Sequence, residues 1–312
     1  MVLYIDKENV ISMVRSEDKA SYIEYAALVR KHMDIQYNFP KEEIKSNEYL
    51  RFWFSQLGSG VEGNHTFCPP QNVVPERPMK ANFYNSIDAN GLSSIFFLDD
   101  ERKVSAVAER CCVIVAKVGE ELAKLREVFA LDDKSEELSY QINSWNEFLP
   151  KLPLTDLIIC DNYYFKDKYI YEANNNEIIR VLSAIPKNSP INIVIIVKER
   201  AIDSEIDLET EQVKIKEFVK QISGSTKSTV TILTTYAIHD RTLITNYYRV
   251  KHGCGFHIKA NNIKKDITTE IKIHAIRQNH DVTKKLLSEY QKIAHNPSNC
   301  IGDKICNYLK FN

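Results

Sequence analysis

What this sequence has little of narrows it before any motif is read. It has almost no excess charge of either sign: 41 Lys and Arg stand against 42 Asp and Glu, a formal net charge of -1. The whole molecule is therefore not a general electrostatic trap for nucleic acid, although a local basic face is compatible with that balance. No apolar run reaches the roughly 20 residues of a membrane span, so no membrane partner is expected. The opening MVLYIDKENV lacks a basic segment followed by a long apolar core, so no secretory signal is expected there. The seven cysteines are scattered and form no Cys-x-x-Cys pair, which points to reduced thiols and a cytoplasmic location. His65-x2-Cys68 and Cys300-x5-Cys306 each lack a second half at a metal-binding spacing, so no metal is expected. There is also no glycine-rich phosphate loop. In the one strand, glycine, helix passage, Cys111 to Val118, Gly119, then Glu120 to Phe129, two acids stand where a phosphate would sit. No cofactor is expected.

What is present reads as an ordinary folded chain. A hydrophobic content of 44% and 312 residues are enough for two cores, so two domains are expected. Val2 to Ile5 reads as a strand and Asp6 to Asn9 as a turn. Ala20 to Met33 reads as a helix capped by Asp18, and Lys41 to Leu57 as a second helix entered through Pro40. Residues 60 to 90 read as a long irregular loop. Ile95 to Leu98 and Cys111 to Val118 read as strands. Leu149-Pro150-Lys151-Leu152-Pro153 marks a boundary near 150, leaving 1–150 as an N-terminal mixed α+β domain with room for a protein partner.

From Asp156 the pattern becomes regular. Leu157 to Cys160, Ile191 to Val197 and Thr229 to Thr235 read as buried strands. Asn176 to Ile185 and Asp207 to Ser223 read as the helices between them, the second stopped by Gly224. That β-α-β-α-β order predicts an α/β domain over 151–312, with a parallel or mixed sheet flanked by helices. Thr268 to His274 reads as a further strand and Thr283 to Ala294 as a further helix. Acidic residues at strand ends, Asp99, Asp100 and Glu101 or Asp156 and Asp161, are weighed as a divalent-cation cluster but read more simply as acidic turns. Cys160 reads as a packing residue.

After the third strand comes His239-x-Arg241-x4-Asn246-x6-Gly253-Cys254. This resembles the H-x-K-x4-D-x6-G-S motif of the phospholipase D superfamily over residues of about 153–295. Arg241 stands in place of lysine, Asn246 in place of aspartate and Cys254 in place of serine. The resemblance implies that His239 is a nucleophile or general acid, that Arg241 holds a phosphoryl oxygen and that Asn246 orients its neighbours. It further implies that the amides near Gly253 and Cys254 help bind phosphate. One motif makes half a site, so the resemblance implies a second half from a partner subunit, as in a homodimer, or from a diverged N-terminal half. Arginine keeps the charge and adds a bidentate fork, whereas cysteine is a weak donor where serine is a good one.

Residues 241 to 292 carry eleven Lys or Arg and four Asp or Glu. Arg249 and Lys251 fall among them, and Tyr247, Tyr248 and Phe256 set aromatic rings beside the cations, a combination suited to nucleic acid. Three readings follow. The first is a nucleic-acid or phosphate-ligand binding protein on a degenerate phospholipase D-like domain, in a setting such as bacterial defence or a mobile element. The second is a metal-independent phosphodiesterase or nuclease acting as a homodimer through His239. The third is an interaction module in which the motif is structural.

Overall fold

The computed structural model describes residues 2–5, 7–16, 18–37, 39–58, 94–98, 104–108, 114–129, 136–138, 144–147, 152–184, 190–236, 240–253, 255–256, 269–275 and 280–303. The loop expected over 60–90 and the acidic run 99–101 lie outside them. The chain divides into two compact units, Met1–Ala130 and Leu131–Asn312. The division falls about twenty residues before the proline-rich 149–153, because a strand at 136–138 and Trp145 are built into the second unit.

In the first unit, four strands run parallel in the order β2-β1-β3-β4: β1 (Val2–Ile5), β2 (Asp34–Tyr37), β3 (Ser94–Leu98) and β4 (Ile114–Lys117). The expected α+β domain is therefore a parallel α/β layer among the described residues. The stretch expected to turn at Asp6 to Asn9 instead opens helix α1 (Lys7–Ser16), whose Val10 and Met13 are buried. Helix α2 (Lys19–His32) starts as expected, with the Asp18 carboxylate accepting from the amides of Ala20 and Ser21. The expected helix over 41–57 is two, α3 (Lys41–Ser46) and α4 (Glu48–Gly58). Asn47 separates them by turning its side-chain oxygen onto the amides of Tyr49 and Leu50. After β4, Gly119 takes φ 97°, and the buried Glu121 at the start of helix α5 (Glu121–Phe129) accepts from its amide at 2.7 Å. A carboxylate thus stands at that helix N-terminus, where the helix dipole favours negative charge.

The second unit holds one eight-stranded mixed sheet, β12-β8-β7-β6-β9-β10-β11-β5. Its centre is the expected β-α-β-α-β unit: β6 (Asp156–Cys160), helix α6 (Lys168–Ser183), β7 (Asn192–Lys198), helix α7 (Leu208–Ser223) and β8 (Thr229–Thr235), with the three strands parallel. Gly224, at φ 66°, closes α7 as a left-handed C-cap. Helix α6 begins eight residues earlier than expected, capped by Asp167 on the Ile170 amide. The Asn-rich stretch inside it is not a break: Asn174 is buried and donates to the Tyr164 carbonyl at 3.0 Å.

The run from Leu243 to Val250 is folded into a hairpin of β9 (Thr242–Thr245) and β10 (Tyr248–His252), antiparallel to each other, with β9 antiparallel to β6. The Thr245 hydroxyl makes the turn by accepting from the amides of Tyr247 and Tyr248. β11 (Thr269–Ala275) pairs antiparallel with β10 and with β5 (Glu136–Leu138), and β12 (Cys300–Gly302) closes the far edge. One sheet face carries Ile158, Cys160, Val194, Ile196, Leu233 and Ile244 under Leu287 and Tyr290 of helix α8 (His280–Ala294). The successive crossovers of β6, β7 and β8 put α6 and α7 together over the opposite face.

Candidate nucleic-acid interface

The hairpin decides where the motif residues go. β9 runs against β6 with Cys160 opposite Thr242 and Leu157 opposite Thr245. Arg241 therefore enters at the C-terminal end of β6, and Asn246 turns at its N-terminal end. Five residue steps at about 3.4 Å separate them by about 17 Å. The structure does not bring Arg241 and Asn246 to one site. His239 and Cys254 lie outside the described residues.

Arg241 is held on three sides. Its Nη1 donates to the Gly253 carbonyl at 2.6 Å, its Nε lies 3.5 Å from Asp161 Oδ1, and its guanidinium stands 5.4 Å from the centre of the Tyr163 ring. Gly253 meets Arg241 through its carbonyl oxygen, where the resemblance implied that the amides near it help bind phosphate. Asp161 is the buried hub of this corner. Its Oδ1 accepts from the Tyr163 amide at 3.0 Å and its Oδ2 from the Phe256 amide at 2.8 Å. With two amides and a guanidinium on its oxygens, Asp161 is a backbone anchor, not one carboxylate of a cation cluster. Among the described residues, no group of three or more His, Cys, Asp or Glu is placed to hold a metal.

Phe256 corrects an expectation. It is fully buried, between Trp145 and Tyr164, with stacked ring centroids 6.4 and 6.2 Å away, and its carbonyl accepts the Trp145 indole N–H. A ring packed this way has no face for a nucleobase. Tyr247 and Tyr248 are buried too, and the Tyr247 hydroxyl donates to the Pro153 carbonyl. These three aromatics are core.

Asn246 is corrected from a site residue that orients its catalytic neighbours to a structural clamp. It is buried, its Oδ1 accepts from the Thr155 amide at 3.2 Å, and its Nδ2 donates to the Pro153 carbonyl at 3.3 Å. Both partners are backbone groups of fixed polarity, so the side chain must accept and donate at once. An ionised aspartate, the usual residue of the resembled motif, cannot donate. Beside it, Asp156 accepts from Thr155 Oγ1 and from Asn192, whose own oxygen accepts from Thr229. Desolvation pushes the Asp156 carboxyl above its usual range, against those hydrogen bonds. Cys160 lies in the core under Tyr290, and burial pushes its thiol up to about 12, far from a working nucleophile.

The basic residues take the other parity of the hairpin. Along β10, Tyr248, Val250 and His252 are buried, Arg249 is half-buried and Lys251 is exposed. Register puts Arg249 opposite His274 and Lys251 opposite Lys272, so these four share one strand face. Lysines directly opposite each other cost stability, about 0.2–1 kcal/mol for such a pair. The Lys251 ammonium reaches Asp240 at 2.9 Å, and the buried Arg249 Nε has no hydrogen-bond partner among the described residues.

At the end of the sheet where β6, β7 and β8 finish, further residues gather that sequence reasoning passed over. Tyr163, 43% exposed, has the Lys166 ammonium 5.7 Å from its ring as well as Arg241. Tyr236, 55% exposed, has the Arg200 guanidinium at 5.4 Å, and its hydroxyl hydrogen-bonds Glu199. The available signal was position: each follows the C-terminal end of a parallel strand, where open α/β sheets bind ligands.

No family model matches this chain, and no curated protein matches it. Among solved structures the chain is similar to TrmBL2, an archaeal chromatin protein whose structure is described as showing a novel mode of DNA binding. The likeness covers 60% of this chain and 62% of that one, at 12% identity and a TM-score of 0.29, too slight to carry an argument about fold or function.

Proposed function

We propose that the second unit binds nucleic acid or another phosphate-bearing ligand, on a domain of phospholipase D-like descent whose motif has turned from hydrolysis to binding. The observation that carries this reading is the common strand face of Arg249, Lys251, Lys272 and His274, with two lysines set directly opposite each other. That face offers a phosphate three cations on two neighbouring strands. The Arg241 to Gly253 contact supports the motif's placement, and the clamp at Asn246 supports a structural use for one of its departures.

The test is binding of oligonucleotides by the full chain across a salt series, in EDTA. Three phosphates on Arg249, Lys251 and Lys272 give a slope of log affinity against log salt of about -2 to -3. Lys251→Gln flattens that slope by about 1. A slope near zero refutes the reading. EDTA-resistant cleavage that disappears in His239→Ala replaces it with a phosphodiesterase.

A further inference from the structure

We propose that the nucleic acid this unit takes is single-stranded, and that Tyr163 and Tyr236 are the platforms on which its bases stack. The inference rests on the nucleic-acid reading above and deepens it. Of the aromatics near this corner, Phe256, Trp145 and Tyr164 are buried, whereas Tyr163 is 43% and Tyr236 55% exposed. Both rings are also held in place. The Tyr163 backbone amide is bound by Asp161, and the Tyr236 hydroxyl by Glu199. Each has a cation beside it: Arg241 and Lys166 at Tyr163, Arg200 at Tyr236. A ring for the base with a cation for the adjoining phosphate is the pairing that single-strand binders use. Of the acids at this rim, Glu199 is engaged by Tyr236 and Asp240 by Lys251.

The spacing fits a strand of nucleotides. Cys160, Ile196 and Leu233 are level across β6, β7 and β8, and Tyr163 and Tyr236 each come three residues further on. They leave the sheet two strand spacings apart, about 10 Å. That is the rise of about three stacked nucleotides at about 3.4 Å each. A duplex cannot use such platforms, because its bases already cover each other's faces. It would meet only the cations.

The full chain is titrated with fluorescent oligothymidylate, with oligouridylate, and with a DNA duplex of equal length. Variants are Tyr163→Ala, Tyr236→Ala, Tyr163→Phe and Phe218→Ala, the last removing an exposed ring on α7. We expect at least one single strand to bind more tightly than the duplex. Each tyrosine-to-alanine change weakens single-strand binding about 5- to 150-fold and leaves duplex binding unchanged. Tyr163→Phe and Phe218→Ala bind as the parent does. The inference is overturned if the duplex binds equally well, or if both alanine variants keep full single-strand affinity. In either case salt-dependent binding would leave the broader reading standing. Absence of binding to all three probes at low salt overturns both. The thymidylate and uridylate arms tell a DNA ligand from an RNA ligand.

Discussion

Asp161→Ala tests the corner on which the proposed interface depends. The substitution removes the acceptor for two backbone amides and the counter-charge of Arg241. The three losses differ in weight. Tyr163 is 43% exposed, so water can take over its amide at little cost. Phe256 is fully buried, and its amide is left with no acceptor, at about 1–3 kcal/mol. Breaking a buried ion pair costs about 3–5 kcal/mol, but the Arg241 side chain is 27% exposed and its Nε stands 3.5 Å from the carboxylate, so its share is about 1 kcal/mol or less. The total is about 1–4 kcal/mol, most of it from the Phe256 amide. Asp161→Asn, which keeps one acceptor oxygen, costs about half as much. Urea unfolding of the full chain measures this as a fall in midpoint at constant slope. Repeating Asp161→Ala in an Arg241→Gln background separates the terms, since the amide cost persists when the arginine is gone. A cost below about 0.5 kcal/mol, or one that vanishes in the double variant, refutes the assignment of Asp161 as a backbone anchor.

Two further outcomes follow from the opposite end of β9. Asn246→Asp removes the donor to Pro153 and faces a carboxylate to that carbonyl, so the unit loses about 1–3 kcal/mol in urea unfolding. A neutral result would mean that the clamp is not needed. Asp156→Asn changes how stability depends on pH. The folded-state pKa of Asp156 is raised, so its favourable contribution is complete at low pH and is lost as pH rises through that raised value. The difference in unfolding free energy between variant and parent should therefore shift in the variant's favour as pH rises from the ordinary carboxylate range toward neutrality, then level off. A difference that does not vary with pH contradicts the desolvation argument.

Some of this architecture was legible because local sequence and tertiary environment agree. Leu157 to Cys160, Ile193 to Val197 and Val230 to Thr235 are buried on both faces and read as runs of apolar and β-branched residues, and the order of their crossovers fixes a parallel core. The Asp18 cap and the Gly224 stop are local chemistry, and each stands where the sequence puts it. What misled was side-chain chemistry acting on the backbone. Thr245 folds an apparently continuous strand into a hairpin by bonding two amides, and Asn47 splits one helix into two in the same manner. Neither signal is glycine or proline, so neither interrupts the apolar pattern.

The amino-acid sequence by itself determined the α/β class of the second unit, its central β-α-β-α-β order and the concentration of positive charge after residue 240. Only the tertiary structure decided which side chains are free to act. Aromatics beside cations look alike in a sequence, yet Phe256 is enclosed by Trp145 and Tyr164 while Tyr163 and Tyr236 stand at the sheet's rim. Asn246 stands five residues from Arg241 in the chain, and the antiparallel course of β9 carries it to the far end of the sheet. The reason is physical. Pattern and propensity act over a few residues, whereas burial and the partners of a polar group are set by strands and loops distant in sequence, as Asp161 and Phe256 are joined across 95 positions.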